Sequence, residues 1–122
     1  MKLDAKISAV VTGGASGLGA AVARAFAGQG VRVAIFDLNK DQGEAFADTI
    51  GALFVPADVT TDESIERAFA LARAAHGQER VLVNCAGIVA SSKTVSRDRE
   101  SGAVQRSSMA VFERSVRVNL IG

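Results

Sequence analysis

The run Val10-Val11-Thr12-Gly13-Gly14-Ala15-Ser16-Gly17-Leu18-Gly19 constrains this chain more than any other stretch. An apolar segment stops at a glycine-rich turn, and an alanine-rich helical pattern starts at once. Glycines allow a tight turn and let the backbone approach a pyrophosphate with no Cβ in the way. The first N–H groups and the positive dipole end of the next helix then face the anion. The spacing, Gly13-x-x-x-Gly17-x-Gly19, is not the commonest dinucleotide fingerprint, so its flanks have to support it. Upstream, Ile7-Ser8-Ala9-Val10-Val11 is short and mostly apolar, the pattern of a strand covered on both faces. Downstream, Leu18, Val22, Ala23, Phe26 and Ala27 recur at helical spacing, and Gly28 and Gly30 close the segment. Strand, turn and helix come in the order that a dinucleotide cradle requires.

Asp37 stands eighteen residues past Gly19, at the end of a second buried-strand pattern, Val31-Arg32-Val33-Ala34-Ile35-Phe36. A carboxylate there can accept hydrogen bonds from adenosine ribose hydroxyls, and its charge repels a 2′-phosphate. Leu38 and Ser16 offer no cation to neutralise such a phosphate, so the pattern favours NAD over NADP as cofactor. The competing reading makes Asp37 a loop residue that caps the turn near Asn39.

The pattern repeats along the chain. Leu53-Phe54-Val55 follows a helical stretch with Ala45, Phe46 and Ile50, and Val81-Leu82-Val83 follows one with Ile65, Ala68, Phe69 and Ala72. Alternating strands and helices predict a parallel sheet. Asn39 lies three residues before Gln42 and Thr60 three before Glu63, both resembling capping boxes at helix starts. The fold class is therefore α/β, a Rossmann-type doubly wound parallel sheet, here strands 1 to 4 with their helices. Right-handed crossovers give the spatial order 3-2-1-4, with the ligand crevice at the carboxyl ends between strands 1 and 4.

Two further groups fall at those ends, Asp58-Val59 and Asn84-Cys85-Ala86-Gly87. Asp58 can accept a hydrogen bond from an adenine amino group while the Val59 amide donates to the ring. Ala86 and Gly87 let the backbone approach the nicotinamide-side ribose. Alternatively, Asp58 is a loop residue preceding a Thr60 cap. Cys85 reads from its chemistry as a small packing residue, since no base partner is visible for a nucleophile.

Composition narrows the field. With 122 residues, 48% hydrophobic content and a net charge of +1, the chain can form one globular unit with a core. Arg97, Arg99 and Arg106 tint the segment 91–108 basic, but Asp98 and Glu100 interleave with them, so a solvated loop is expected and no nucleic-acid partner. No apolar stretch approaches the roughly twenty residues that span a bilayer, and the start Met1-Lys2-Leu3-Asp4-Ala5-Lys6 lacks a signal-peptide core, so no membrane partner and a cytoplasmic location are expected. A single cysteine cannot pair internally, and one histidine, His76, cannot build a histidine-rich metal site with it. His76 precedes Gly77 at a predicted helix end, where a surface position near the dipole is expected.

Taken together, Thr12-Gly13-x-x-x-Gly17-x-Gly19, Asp58-Val59, Asn84-Cys85-Ala86-Gly87 and Val118-Asn119 resemble the short-chain dehydrogenase/reductase family, over the whole chain. Pro56-Ala57-Asp58-Val59-Thr60, Val83-Asn84-Cys85-Ala86-Gly87-Ile88 and the insert from Ala90-Ser91-Ser92-Lys93-Thr94 resemble its type II 3-hydroxyacyl-CoA dehydrogenases, which also act on some hydroxysteroids. The resemblance implies an NAD-dependent oxidoreductase in which Ser16, Leu18, Asp37, Asp58, Val59 and Cys85 contact NAD. It also implies that Asn119 supports a catalytic proton relay, that an acyl-CoA or hydroxysteroid-like molecule is the substrate, and that the enzyme is a homotetramer. Read from its neighbours alone, Asn119 lies inside a helix that starts after a Ser108 cap and carries Val111, Phe112, Val116 and Leu120. A buried polar residue there needs partners, a bound water or a structural one.

Family chemistry uses a tyrosine as acid/base, a lysine that lowers its pKa, and a serine that orients the substrate oxygen. This chain contains no tyrosine. The resemblance puts that triad beyond the asparagine helix, so residues 1–122 read as the NAD-binding half of one Rossmann-type domain. An exposed fourth strand, marginal stability and no dehydrogenase turnover are then expected of these residues alone. A noncatalytic NAD-binding module is the alternative.

Overall fold

The computed structural model describes residues 2–90 and 93–122. Met1, Ser91 and Ser92, the last two from the insert singled out above, lie outside the described residues. The chain forms two compact units, Met1–Ala86 and Gly87–Gly122.

The first unit alternates strand and helix throughout: β1 (Ser8–Thr12), α1 (Gly17–Gly28), β2 (Arg32–Asp37), α2 (Lys40–Ile50), β3 (Leu53–Pro56), α3 (Asp62–His76) and β4 (Val81–Asn84). All pairs are parallel and the order is β3-β2-β1-β4, as expected. Thr12 pairs with Phe36 on one side and Asn84 on the other, which brings three strand ends level. Every β1 residue is buried, because the strand has neighbours at both edges and helices over both faces.

The period of two along the strands sorts the core into two layers. Ile7, Ala9, Val11, Val33 and Ile35 pack on one face with Ala23 and Phe26 of α1 and Phe46 and Ala47 of α2. On the other face Val10, Ala34, Phe36 and Val55 meet Ala68, Phe69 and Ala72 of α3. Phe36 and Phe69 meet edge to face, with ring centroids 5.2 Å apart. The sheet is therefore doubly wound. Leu18, counted into the α1 stripe by its spacing, instead stands 83% exposed in the first turn of the helix.

Helix starts agree with the sequence at one position and differ at another. Asn39 caps α2: its Oδ1 accepts from the Gln42 N–H at 3.2 Å, and its Nδ2 donates to Gln42 Oε1 at 3.1 Å. α3 starts one residue later than Thr60 predicts, with Thr61 at the cap position. The Thr60 hydroxyl and N–H instead donate to Asp58 Oδ1 at 2.7 and 2.9 Å. With both its N–H and its hydroxyl directed at Asp58, Thr60 belongs to the turn before the helix.

The second unit holds an antiparallel hairpin, β5 (Val95–Arg97) with β6 (Val104–Arg106), then α4 (Met109–Val116), which runs on into a π-helical segment, Arg117–Ile121. The basic stretch expected to be a solvated loop is thus an exposed hairpin. Its turn is organised by Asp98, whose Oδ1 accepts from the N–H groups of Glu100 and Ser101 and from the Ser101 hydroxyl. Ser108 does precede α4, although its side chain makes no cap bond. Among the described residues no helix is long and apolar enough to cross a membrane.

His76 departs from expectation. It ends α3, and the Ser8 hydroxyl donates to its carbonyl at 2.6 Å, tying the helix to β1. Its ring is half-buried, and Nδ1 is buried without a hydrogen-bond partner. Burial, and secondly the charge of Arg32, hold its pKa below the usual 6.5, against the pull of the helix dipole. The folded state therefore binds fewer protons than the unfolded state. The stability contributed by neutral His76 is complete above about pH 6.5 and falls as the pH drops from there through the folded-state pKa. His76 is the sole histidine, so its ring proton resonance should titrate below 6.5 by NMR, and His76→Gln should flatten the acid limb of the urea-denaturation midpoint. A ring titrating at or above 6.5 would contradict this account.

Candidate nucleotide-binding site

At the carboxyl ends of β1, β2 and β4 the backbone of the glycine turn is fixed from two sides. Gly13 has φ +63°, and a Cβ on it would lie 2.7 Å from the Ala86 N and Cα atoms and the Cys85 carbonyl. No other residue type fits so close a backbone approach. From the β2 side the Phe36 carbonyl accepts the Gly13 N–H at 2.8 Å and the Gly14 N–H at 3.4 Å. Gly17 differs in kind: its φ of +53° calls for glycine, yet a Cβ there would meet nothing within 4 Å. That side of the turn is open. Gly19 is buried in the first turn of α1, where a Cβ would strike the Gly13 carbonyl.

The first turn of α1 is open in a chemical sense as well. Ser16 occupies the cap position with extended backbone, but its side chain makes no cap bond, and no acidic residue stands in the first turn. The leading N–H groups and the dipole end are thus left for an anion.

Thr12 is the residue whose role sequence reasoning missed. Its buried hydroxyl oxygen accepts from the N–H groups of Cys85 and Ala86, each at 3.2 Å, and lies 3.5 Å from Asn84 Oδ1. This bond holds the exit of β4 against the glycine turn. A threonine ending a mostly apolar strand was the available signal, since a hydroxyl at a buried tip needs partners.

Asp37 ends β2 beside the turn. Its Oδ2 accepts the Ala15 N–H at 3.1 Å and its Oδ1 the Asn39 N–H at 3.0 Å. The local-cap reading of Asp37 is therefore realised through Asn39, and a link to the glycine turn is added to it. Asp58 follows β3. Besides holding Thr60 through Oδ1, it donates its own N–H to Ser64 Oγ at 2.9 Å, so Asp58 does organise the loop before α3, although the cap it was expected to precede lies at Thr61 and not at Thr60. The adjacent Ala57 N–H donates to the Asp37 carbonyl at 3.0 Å, which ties the Asp58-Val59 loop to the end of β2. The Cys85 side chain packs against the core layer beneath α1 and α2, as its chemistry suggested.

Gly87 and Asn119 belong to the second unit and come together there. Asn119 Nδ2 donates to the Ile88 carbonyl at 2.9 Å, and Oδ1 accepts the Ile88 N–H at 2.8 Å. A Cβ on Gly87 would lie 3.4 Å from Asn119 Oδ1. Asn119 lies in the helix that follows Ser108, as expected, in the π-helical segment that continues α4, but it is exposed where burial was expected. Each end of its carboxamide bonds one peptide unit, that of Ile88.

Residues 8–122 match the family model for short chain dehydrogenases. The chain belongs to the short-chain dehydrogenase family. It is 43% identical over 116 residues to human 3-hydroxyacyl-CoA dehydrogenase type-2 and 42% identical to the bovine protein of that name, in each case across 93% of this chain and 43% of the relative. It is 37% identical to the maize sex determination protein tasselseed-2, across 99% of this chain and 35% of that protein. The chain thus spans less than half the length of these relatives.

The Thr12 bond has a measurable consequence. Cys85 N–H retains the Thr12 carbonyl as a second acceptor at 3.1 Å, so Thr12→Val chiefly strands the Ala86 amide. Ala86 is only half-buried, so Thr12→Val should cost about 1 kcal/mol in denaturant unfolding, with Thr12→Ser close to wild type. Equal stability of wild type and Thr12→Val would remove Thr12 from this role.

Proposed function

We propose that this chain is the NAD-binding part of a short-chain dehydrogenase that moves hydride between NAD(H) and a secondary alcohol or ketone, with 3-hydroxyacyl-CoA thioesters as the substrate class. The observation that carries the cofactor reading is a carboxylate, Asp37, fixed beside a glycine turn whose helix start is uncapped. Family membership supports a nicotinamide dinucleotide of either kind. Asp37 supports NAD in particular, since its charge accepts ribose hydroxyls and opposes a 2′-phosphate.

In this reading Gly13, Ser16, Gly17, Leu18 and Gly19 hold the pyrophosphate, with N–H groups from the α1 start turned to its charge. Asp58 and Val59 meet the adenine. Cys85, Ala86 and Gly87 face the nicotinamide-side ribose, and small residues there leave room for it. The bound dinucleotide supplies the ring carbon that accepts or gives hydride. Asn119 belongs to the proton path, and its two hydrogen bonds to the Ile88 peptide fix its carboxamide. The tyrosine, lysine and serine that such chemistry uses are proposed to lie outside residues 1–122, which contain no tyrosine. The substrate class rests on the likeness to 3-hydroxyacyl-CoA dehydrogenase type-2.

Calorimetry with both dinucleotides tests the cofactor reading. NAD should bind the wild-type chain at least about tenfold tighter than NADP, because a 2′-phosphate would face the Asp37 charge. Asp37→Ala should narrow that gap. Equal binding of NAD and NADP to the wild type would overturn it. Separately, the purified 122-residue chain should not turn over acetoacetyl-CoA with NADH. Measurable turnover would show that the acid/base group lies within these residues.

A further inference from the structure

Three consecutive amides of the glycine turn hang from the last two residues of β2. Gly13 and Gly14 N–H donate to the Phe36 carbonyl, and Ala15 N–H donates to Asp37 Oδ2 at 3.1 Å. Ala15 is only 4% exposed, so water is a poor substitute for that acceptor. The other carboxylate oxygen holds the N–H of Asn39, the residue that caps α2. One side chain thus bridges the glycine turn and the start of the next helix.

We infer that Asp37 is a positioning residue for the glycine turn in addition to its reading of the ribose: its carboxylate latches the Ala15 amide and so holds the turn in the shape that receives a nucleotide diphosphate. This inference rests on the cofactor reading above and deepens it. A carboxylate has about four acceptor positions. Two are taken by backbone amides, and two remain for a ribose diol, so one group can do both tasks at once. A consequence for specificity follows. Replacing Asp37 by a small neutral residue, the obvious change to admit a 2′-phosphate, also removes the turn's third anchor and weakens every diphosphate nucleotide.

The discriminating probe is 2′,3′-dideoxy-ADP, which has the diphosphate and lacks both ribose hydroxyls. If Asp37 acted only through those hydroxyls, Asp37→Ala would leave its affinity unchanged. It would even raise it, because a negative charge near the diphosphate is gone. The latch requires the opposite sign, a loss of about three- to tenfold in calorimetry. Amide exchange in the nucleotide-free chain gives a second readout that needs no ligand: the Ala15 amide should exchange about tenfold faster in Asp37→Ala than in wild type. Unchanged or tighter dideoxy-ADP binding, or an unchanged Ala15 exchange rate, overturns the latch. If the wild type binds no nucleotide, the cofactor reading fails, and the exchange measurement still decides the latch. Should Asp37→Ala not fold, Asp37→Asn serves, because its single side-chain oxygen can hold only one of the two amides. Faster exchange at Ala15 or at Asn39 supports the latch, and no change at either overturns it.

Discussion

The structure turns on the distance between two backbones at Gly13. With 2.7 Å from its Cβ position to the backbone at Cys85 and Ala86, the turn after β1 and the exit of β4 are in direct contact. Nothing larger than hydrogen fits between them. That contact fixes where β4 ends relative to β1, and Thr12 reinforces it with a hydroxyl that accepts from the same two residues. The Phe36 carbonyl fixes the turn from the β2 side. Three parallel strands therefore end on one common piece of backbone, and whatever binds there meets a surface set by main-chain atoms.

Much of this was legible in the residues, for physical reasons. Strands buried on both faces must be nearly all apolar, so β1 and β2 stood out from their neighbours. Glycines at positive φ are irreplaceable, so Gly13 and Gly17 carried their geometry into the sequence. The strand order followed from right-handed crossovers in a Rossmann-type doubly wound sheet. Asp37 and Asp58 could be placed at strand ends, but each had two readings. For Asp37 the local hydrogen bonds realise the cap reading without excluding a ligand, because a carboxylate has more acceptor positions than its two backbone partners fill.

What the sequence hid was settled by competition between groups. Thr60 looks like a helix cap, yet its N–H and hydroxyl both turn back to Asp58 and the helix begins one residue later. His76 looks like a surface residue that the α3 dipole should favour as a cation, yet burial of the ring and the Arg32 charge act the other way. The β5–β6 hairpin is only three residues per strand, all exposed, with Val95 and Val104 as its apolar residues. Burial pattern cannot reveal strands that bury nothing. Asn119 lies where α4 gives way to a π-helical segment, and a change of hydrogen-bond register leaves no mark in apolar spacing.

The three helices of the first unit make a controlled comparison. α2 is capped by Asn39 and carries Asp41 in its first turn, and α3 opens on Asp62 and Glu63. Each thus meets its own dipole with its own side chains. α1 has neither: Ser16 leaves its cap bond unmade and the first turn is free of acid. Capping α1 with a carboxylate would stabilise the helix by up to about 1 kcal/mol. That same charge would occupy the position where a phosphate gains the most from the dipole. α3 also lacks a side-chain cap bond, so what α1 alone of the three forgoes is the favourable charge at its dipole, and it does so at the turn that Gly13, Thr12 and Asp37 hold in place. The uncapped start and the anchored turn are therefore complementary: the anchors replace the rigidity that a cap would give, while leaving the N–H groups to an anion.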